Sequence, residues 1–197
     1  MAHKEQVEFC NKVKDLFPNH FSNVKVLDVG SFDCNGNDRG MFVDSEYIGI
    51  DLTEGDNVDV ICPGQEYDAP DETFDTVISC ECFEHNPYYK ETIQNIVRML
   101  KPGGLFLFTC ATTGRAPHGF KTQDEIMKKI DPNWTTLPNV KFQREDWDND
   151  YYKNLTEEDI RECVDMDKVF SDCYFQVEEE HFDLYFWGIK KLSLIHI

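Results

Sequence analysis

Gly30 and Asp51 are the two residues whose types and spacing point most directly to chemistry. The apolar run Val24-Lys-Val-Leu-Asp-Val29 breaks at Gly30 into the short polar loop Ser31-Phe-Asp-Cys-Asn-Gly36, and a second run, Tyr47-Ile-Gly-Ile, ends in Asp51. A carboxylate about 20 residues past such a glycine has the spacing of a nucleotide-binding β-α-β unit. The glycine lets the backbone approach a ligand, and the carboxylate can accept hydrogen bonds from both hydroxyls of a ribose. A cofactor with an adenosine-like part is therefore expected. A nicotinamide dinucleotide is disfavoured, because Phe32 and Asn35 stand where its fingerprint needs further glycines.

Other chemically suggestive residues read more plainly. Glu84-His85 precedes Pro87 at the start of a helical pattern and reads as an orienting hydrogen-bond pair rather than an acid-base couple. Cys80-x-Cys82 has no second pair at ligand spacing, so no metal is assigned. The eight scattered cysteines read as free thiols in a reducing, cytoplasmic compartment.

The elements that must position these residues alternate. A helix over 4–17 carries Val7, Cys10, Val13 and Leu16 on one face. Strands are expected at 24–29, at 47–51, at 57–61 and at 74–79. A helix over 88–100 stops at Lys101-Pro-Gly-Gly104, read as a structural turn into the apolar strand 105–109. The segment 112–155 breaks the rhythm and reads as an insertion. Thr156-Glu-Glu-Asp159 is a capping-box-like helix start, followed by closing strands near 173–179 and 183–190. This alternation predicts one α/β domain over 1–191, a doubly wound, mostly parallel sheet with helices on both faces. The last six residues, Leu192-Ser-Leu-Ile-His-Ile197, read as translated sequencing adapter and are expected to add no strand.

Charge narrows the partners. The chain has 197 residues, 41% of them hydrophobic, and a formal net charge of −19. Such a surface repels polyphosphate, which disfavours nucleic acid as a partner. No apolar run approaches the roughly 18 residues of a membrane span. Composition sets no oligomeric state.

With four motifs in order, the chain resembles the class I S-adenosylmethionine-dependent methyltransferases over about residues 22–111. They are Leu27-Asp-Val-Gly30, Ile48-Gly-Ile-Asp51, Phe74-Asp-Thr-Val-Ile-Ser79 with Glu84-His85 after it, and Leu100-Lys-Pro-Gly-Gly104. The loop Gly30-Ser-Phe-Asp-Cys-Asn-Gly36 keeps only the first of the family's alternate glycines and matches a Gly-Ser-aromatic-Asp-x-Asn-Gly variant found in a type 11-like subset.

The resemblance implies a seven-stranded sheet with an antiparallel last strand, S-adenosyl-L-methionine as cofactor, and methyl transfer as the activity. It places Gly30 and Ser31 against the methionine portion, Asp51 on the ribose diol, and Leu52 on the adenine. Pro63 stands where relatives carry an acid for the adenine amino group, which leaves that contact to backbone near Gly64 and Gln65. Ser79, Cys80 and Glu81 would line the methionine side, and Asp28 and Asp33 would offset the sulfonium charge.

The acceptor is expected to be a small molecule, a glycan or a lipid-like group, with a protein or RNA acceptor, or an inert cofactor-binding module, as alternatives. His118, just past the fifth strand, would be the general base for a hydroxyl acceptor. The insertion would act as an acceptor-side lid, in which Arg115 and Lys121, among Lys128, Lys129, Lys141 and Arg144, steer an anionic acceptor into an otherwise acidic molecule.

Overall fold

The computed structural model describes residues 4–34, 36–119, 129, 146–148 and 150–193. Seven strands form one sheet in the order β3-β2-β1-β4-β5-β7-β6. They are β1 (Lys25–Val29), β2 (Glu46–Asp51), β3 (Val60–Ile61), β4 (Phe74–Cys80), β5 (Leu100–Ala111), β6 (Phe170–Glu178) and β7 (Asp183–Lys190). The first five run parallel. β7 inserts antiparallel between β5 and β6, with Phe108 opposite Phe186 and Ala111 opposite Asp183. The expected doubly wound sheet with an antiparallel last strand is what the chain forms.

Period-2 alternation sends successive side chains of each strand to opposite faces. Val26, Ile78, Leu105, Leu107 and Tyr185 meet α1 (Lys4–Leu16), which presents Phe9, Cys10 and Val13 at helical spacing. On the other face Leu27, Val77, Phe106, Phe108 and Phe186 pack against α2 (Tyr89–Met99), α3 (Glu157–Arg161) and α4 (Met166–Val169). The second layer is rich in rings: Phe108 stacks on Phe186 at 5.0 Å, and Phe83 meets Phe108 edge-on at 5.2 Å.

Several elements depart from their expected bounds for identifiable reasons. The third strand, expected from residue 57, shortens to Val60–Ile61 because Asn57 takes a left-handed φ of 70°. The sequence Lys101-Pro-Gly-Gly104 is not a turn ahead of the strand but an irregularity inside it. Phe74 pairs with Leu100 and Thr76 with Leu105, so the extra residues loop out, with Gly103 at φ 78°. β6 starts earlier than expected because α4 feeds directly into Phe170. Among the described residues, the β1–β2 crossover holds one 3₁₀ turn, Arg39–Met41, in place of a full helix.

Thr156 caps α3 as expected: its side chain accepts from the Asp159 N–H, and the Asp159 carboxylate accepts from the Thr156 N–H. The described ends of the expected insertion return to the sheet. Leu155 N–H donates to the Ala111 carbonyl, and the Thr112 hydroxyl donates to the Leu155 carbonyl. Lys121, Lys128, Lys141 and Arg144, and with them most of the expected lid, lie outside the described residues, as does the tail from residue 194. No described helix is long and apolar enough to cross a membrane.

Candidate functional site

Ligands of open α/β sheets bind beyond the carboxyl ends of the strands, where strand order reverses. Here that place lies between β1 and β4, bounded by the loops after β1, β2, β4 and β5.

The loop after β1 is tied tightly to β2. Gly30 and Ser31 both donate their N–H groups to the Ile50 carbonyl. Asp51 accepts from the Phe32 N–H at 3.1 Å and from the Leu52 N–H at 2.6 Å, one on each carboxylate oxygen. Each oxygen keeps a lone pair for a further donor. Burial raises the Asp51 pKa while the backbone donors oppose the rise.

Gly30 is required on two counts: its φ is 82°, and a Cβ there would lie 2.5 Å from Cys82 Cβ. Its missing side chain therefore makes room for the loop after β4 as well as for any ligand. Gly64 fits by the same logic, since a Cβ would sit 2.6 Å from Thr92 Cγ2 on α2. The Gly64 carbonyl accepts from Asn95, and Gln65 Oε1 accepts from the Thr92 hydroxyl.

Other residues expected at the cofactor are engaged inside the protein. Asp28 lies on the α1 face, where its carboxylate accepts from the Tyr47 hydroxyl at 2.6 Å and from Asn57 at 3.3 Å. Burial, reinforced by the charge of Asp38, pushes its pKa up to about 7. Asn57 in turn donates to the Ser31 carbonyl, so this network braces the loop from below. Asp33 accepts from the Gly36 N–H and from Asn37 Nδ2, an Asx-type closure of its own loop. The Ser79 hydroxyl donates to the Val29 carbonyl and joins β4 to β1. Ser31 Oγ is buried with no partner in the described chain. Cys80 is close to Cys10 of α1 and to Asp38; the hydrogen bond with Cys10, then burial, hold its thiol well above the ordinary range.

A second group gathers beyond β4 and β5. Glu81 has a left-handed φ of 53°, a strained conformation for a non-glycine residue. Its Oε1 accepts from the Thr109 hydroxyl, whereas Oε2 is buried without a partner. Burial, with the neighbouring Glu84 charge, pushes Glu81 up to about 8. Glu84 is fully buried in the 3₁₀ turn Phe83–His85 and pushed up to about 7. The backbone N–H groups of Glu84 and Ala111 favour its charged form, but neither carboxylate oxygen accepts an aligned hydrogen bond.

His85 is held down near 3 by burial and by the adjacent His118. The His85, His118 and Tyr152 rings lie 5.1–5.3 Å apart, centroid to centroid. His118 Nδ1 lies 3.1 Å from the Ala116 carbonyl, and burial lowers its pKa. Arg115 does not extend toward solvent: it pairs with the fully buried Asp183 at 3.0 Å and donates to the His181 carbonyl at 2.6 Å.

A family model described as a methyltransferase domain matches residues 1–185. The chain belongs to that family. It is an S-adenosyl-L-methionine-dependent methyltransferase.

Solved structures share the fold. The Burkholderia thailandensis 1,6-didemethyltoxoflavin-N1-methyltransferase, solved with S-adenosylhomocysteine, is 19% identical, with a TM-score of 0.59 over 93% of this chain and 78% of that one. The Haemonchus contortus phosphoethanolamine N-methyltransferase 2, solved with S-adenosyl-L-methionine, is 16% identical, with a TM-score of 0.59. That match covers 94% of this chain and only 52% of the Haemonchus chain, so the methyltransferase described here spans about half that enzyme's length. No curated protein sequence matches it.

Within this methyltransferase, the sequence marks Glu81, Arg115 and His118, and Glu84-His85 as an orienting pair, but not the full burial of Glu84, the pairing of Arg115 with Asp183 or the approach of Tyr152 to the two imidazoles. Glu84-His85 was the available signal. Its partners come from a segment 33 residues or more away in sequence, brought near by the β5 register and by the return of residues 151–155, where Lys153 N–H donates to the Glu84 carbonyl.

Proposed function

We propose that this methyltransferase transfers a methyl group to a small-molecule or glycan acceptor bound beyond the ends of β4 and β5. The cofactor would lie across Gly30 to Asp33, Asp51 and Leu52, Gly64 and Gln65, and Ser79 to Glu81. When bound, S-adenosyl-L-methionine supplies an activated methyl group on a sulfonium.

The observation that carries this reading is the Asp51 carboxylate. It stands at the carboxyl end of β2, is oriented by two backbone N–H groups, and retains acceptor capacity for a ribose diol. Leu52 beside it offers an apolar face to the adenine, and Gly64 and Gln65 offer backbone polar groups. Asp28, Asp33 and Ser79 act one step away, holding the loops that make these contacts. Cys80 contributes backbone at the end of β4.

The chain's own work in transfer is to bind the acceptor in line with the methyl and to exclude water. Where the acceptor is a hydroxyl, its proton passes to a neutral imidazole. His118 suits this because burial keeps it unprotonated at neutral pH and it lies on the rim of the site, half-buried. Electrostatic capture of an anion by Arg115 loses its basis, because that guanidinium is turned inward onto Asp183 and the His181 carbonyl.

Incubation with radiolabelled S-adenosyl-L-methionine and fractionated small-molecule and glycan pools tests the reading. Label transfer into a low-mass fraction, abolished in Asp51→Ala, is the expected outcome. Label appearing only in protein or RNA would contradict it.

A further inference from the structure

Glu84, His85 and His118 place one carboxylate oxygen and two imidazole nitrogens all within 4.8 Å of one another. We propose that these three side chains form a binding site for a divalent first-row transition-metal ion at the acceptor end of the cleft.

Three observations support it. Two histidines and one carboxylate on adjoining faces are a donor set suited to such ions, and three protein ligands leave coordination positions open to oxygen atoms of an acceptor. The Glu84 carboxylate is fully buried, yet neither oxygen accepts an aligned hydrogen bond. Buried carboxylates are ordinarily paired, hydrogen-bonded or metal-bound. The surrounding chain is also shaped to bring the two imidazoles together. Gly119, at φ 74°, approaches so closely that a Cβ there would lie 2.7 Å from His85 Cε1. Tyr152 meets both imidazoles edge-on and limits their rotation. Glu81 lies on the same side of the cleft, with Oε2 unpartnered.

The site does not depend on what the acceptor is. With His118 Nδ1 turned to the Ala116 carbonyl, however, an ion would occupy the remaining ring nitrogen that otherwise takes an acceptor proton, so the two roles of His118 exclude one another. It also differs from the group formed by Cys10, Asp38 and Cys80 on the α1 face, whose sulfur ligands would give a metal a distinct signature.

The test is titration of Co²⁺ into the chelator-treated full chain, followed by visible absorption and calorimetry, with His85→Ala and His118→Ala in parallel. The expected result is one ion per chain, visible ligand-field bands without a sulfur-to-cobalt charge-transfer band, and binding weakened at least tenfold in each variant. His118 lies outside the sheet on the half-buried rim, so His118→Ala decides the matter even where His85→Ala fails to fold. Absence of saturable binding, equal affinity in the wild type and His118→Ala, or a charge-transfer band removed by Cys80→Ser would each overturn the proposal.

Discussion

Around Asp51 each carboxylate oxygen has a backbone donor, whereas around Glu84 four buried carboxylate oxygens, on Glu81, Glu84 and Asp183, accept no aligned hydrogen bond from the described residues. The first region is a loop that satisfies itself and leaves spare acceptor capacity for a neutral diol. The second concentrates buried carboxyl groups that the described chain does not fully pair, at the end of the cleft proposed to receive the acceptor. A shared cofactor needs a site that is complete before binding, while a specificity site can hold polar groups in reserve for the molecule it selects.

Breaking the ion pair of the second region should have the largest effect. Arg115→Ala leaves the fully buried Asp183 uncompensated and should destabilise the fold by about 3 kcal/mol at pH 8. Asp183 already stands near 7, raised by burial and by the Glu81 charge. Removing the guanidinium raises it further, so at pH 5 it takes up a proton and the loss shrinks. Urea melts at both pH values check this; equal losses would show that the pair is not electrostatically important.

On the cofactor side, Asp28→Asn sharpens the contrast. Asp28 has a folded pKa of about 7, above its unfolded value, so the native state binds the extra proton between roughly pH 4 and 7. Its contribution is therefore favourable at low pH and is lost as pH rises through 7. The variant should be more stable than wild type by on the order of 2 kcal/mol at pH 8, with little difference at pH 4. Thermal melts across that range should show a flatter profile for the variant; parallel profiles would remove Asp28 from the account.

A smaller effect is expected from Thr156→Ala, which removes the cap of α3 next to the segment that closes over Glu84. It should cost about 1 kcal/mol in denaturant unfolding and leave S-adenosylhomocysteine affinity unchanged. A change in that affinity would mean that the two sides of the cleft are coupled.

The same contrast explains what the sequence made legible. Gly30, Asp51 and the Thr156 cap depend on contacts within a β-α-β unit or a single helical turn, so residue type and spacing suffice to find them. The doubly wound class follows too, because β1, β4 and β5 carry apolar runs that burial on both faces explains and helical patterns alternate with them. The pairing of Arg115 with Asp183 joins residues 68 apart, set by the antiparallel register of β7 against β5, which no local pattern encodes. Lys101-Pro-Gly-Gly104 was misread for the opposite reason: its residues are turn-formers, but pairing with β4 on both sides keeps them within a strand.

The central claim is that the cofactor's ribose is held by Asp51, and calorimetric titration of S-adenosylhomocysteine into wild type and Asp51→Ala tests it most directly. The account predicts a loss of about 1.5–3 kcal/mol in binding free energy, from the hydrogen bonds to an ionised carboxylate, with the melting temperature little changed. Equal affinity in the two proteins would contradict it.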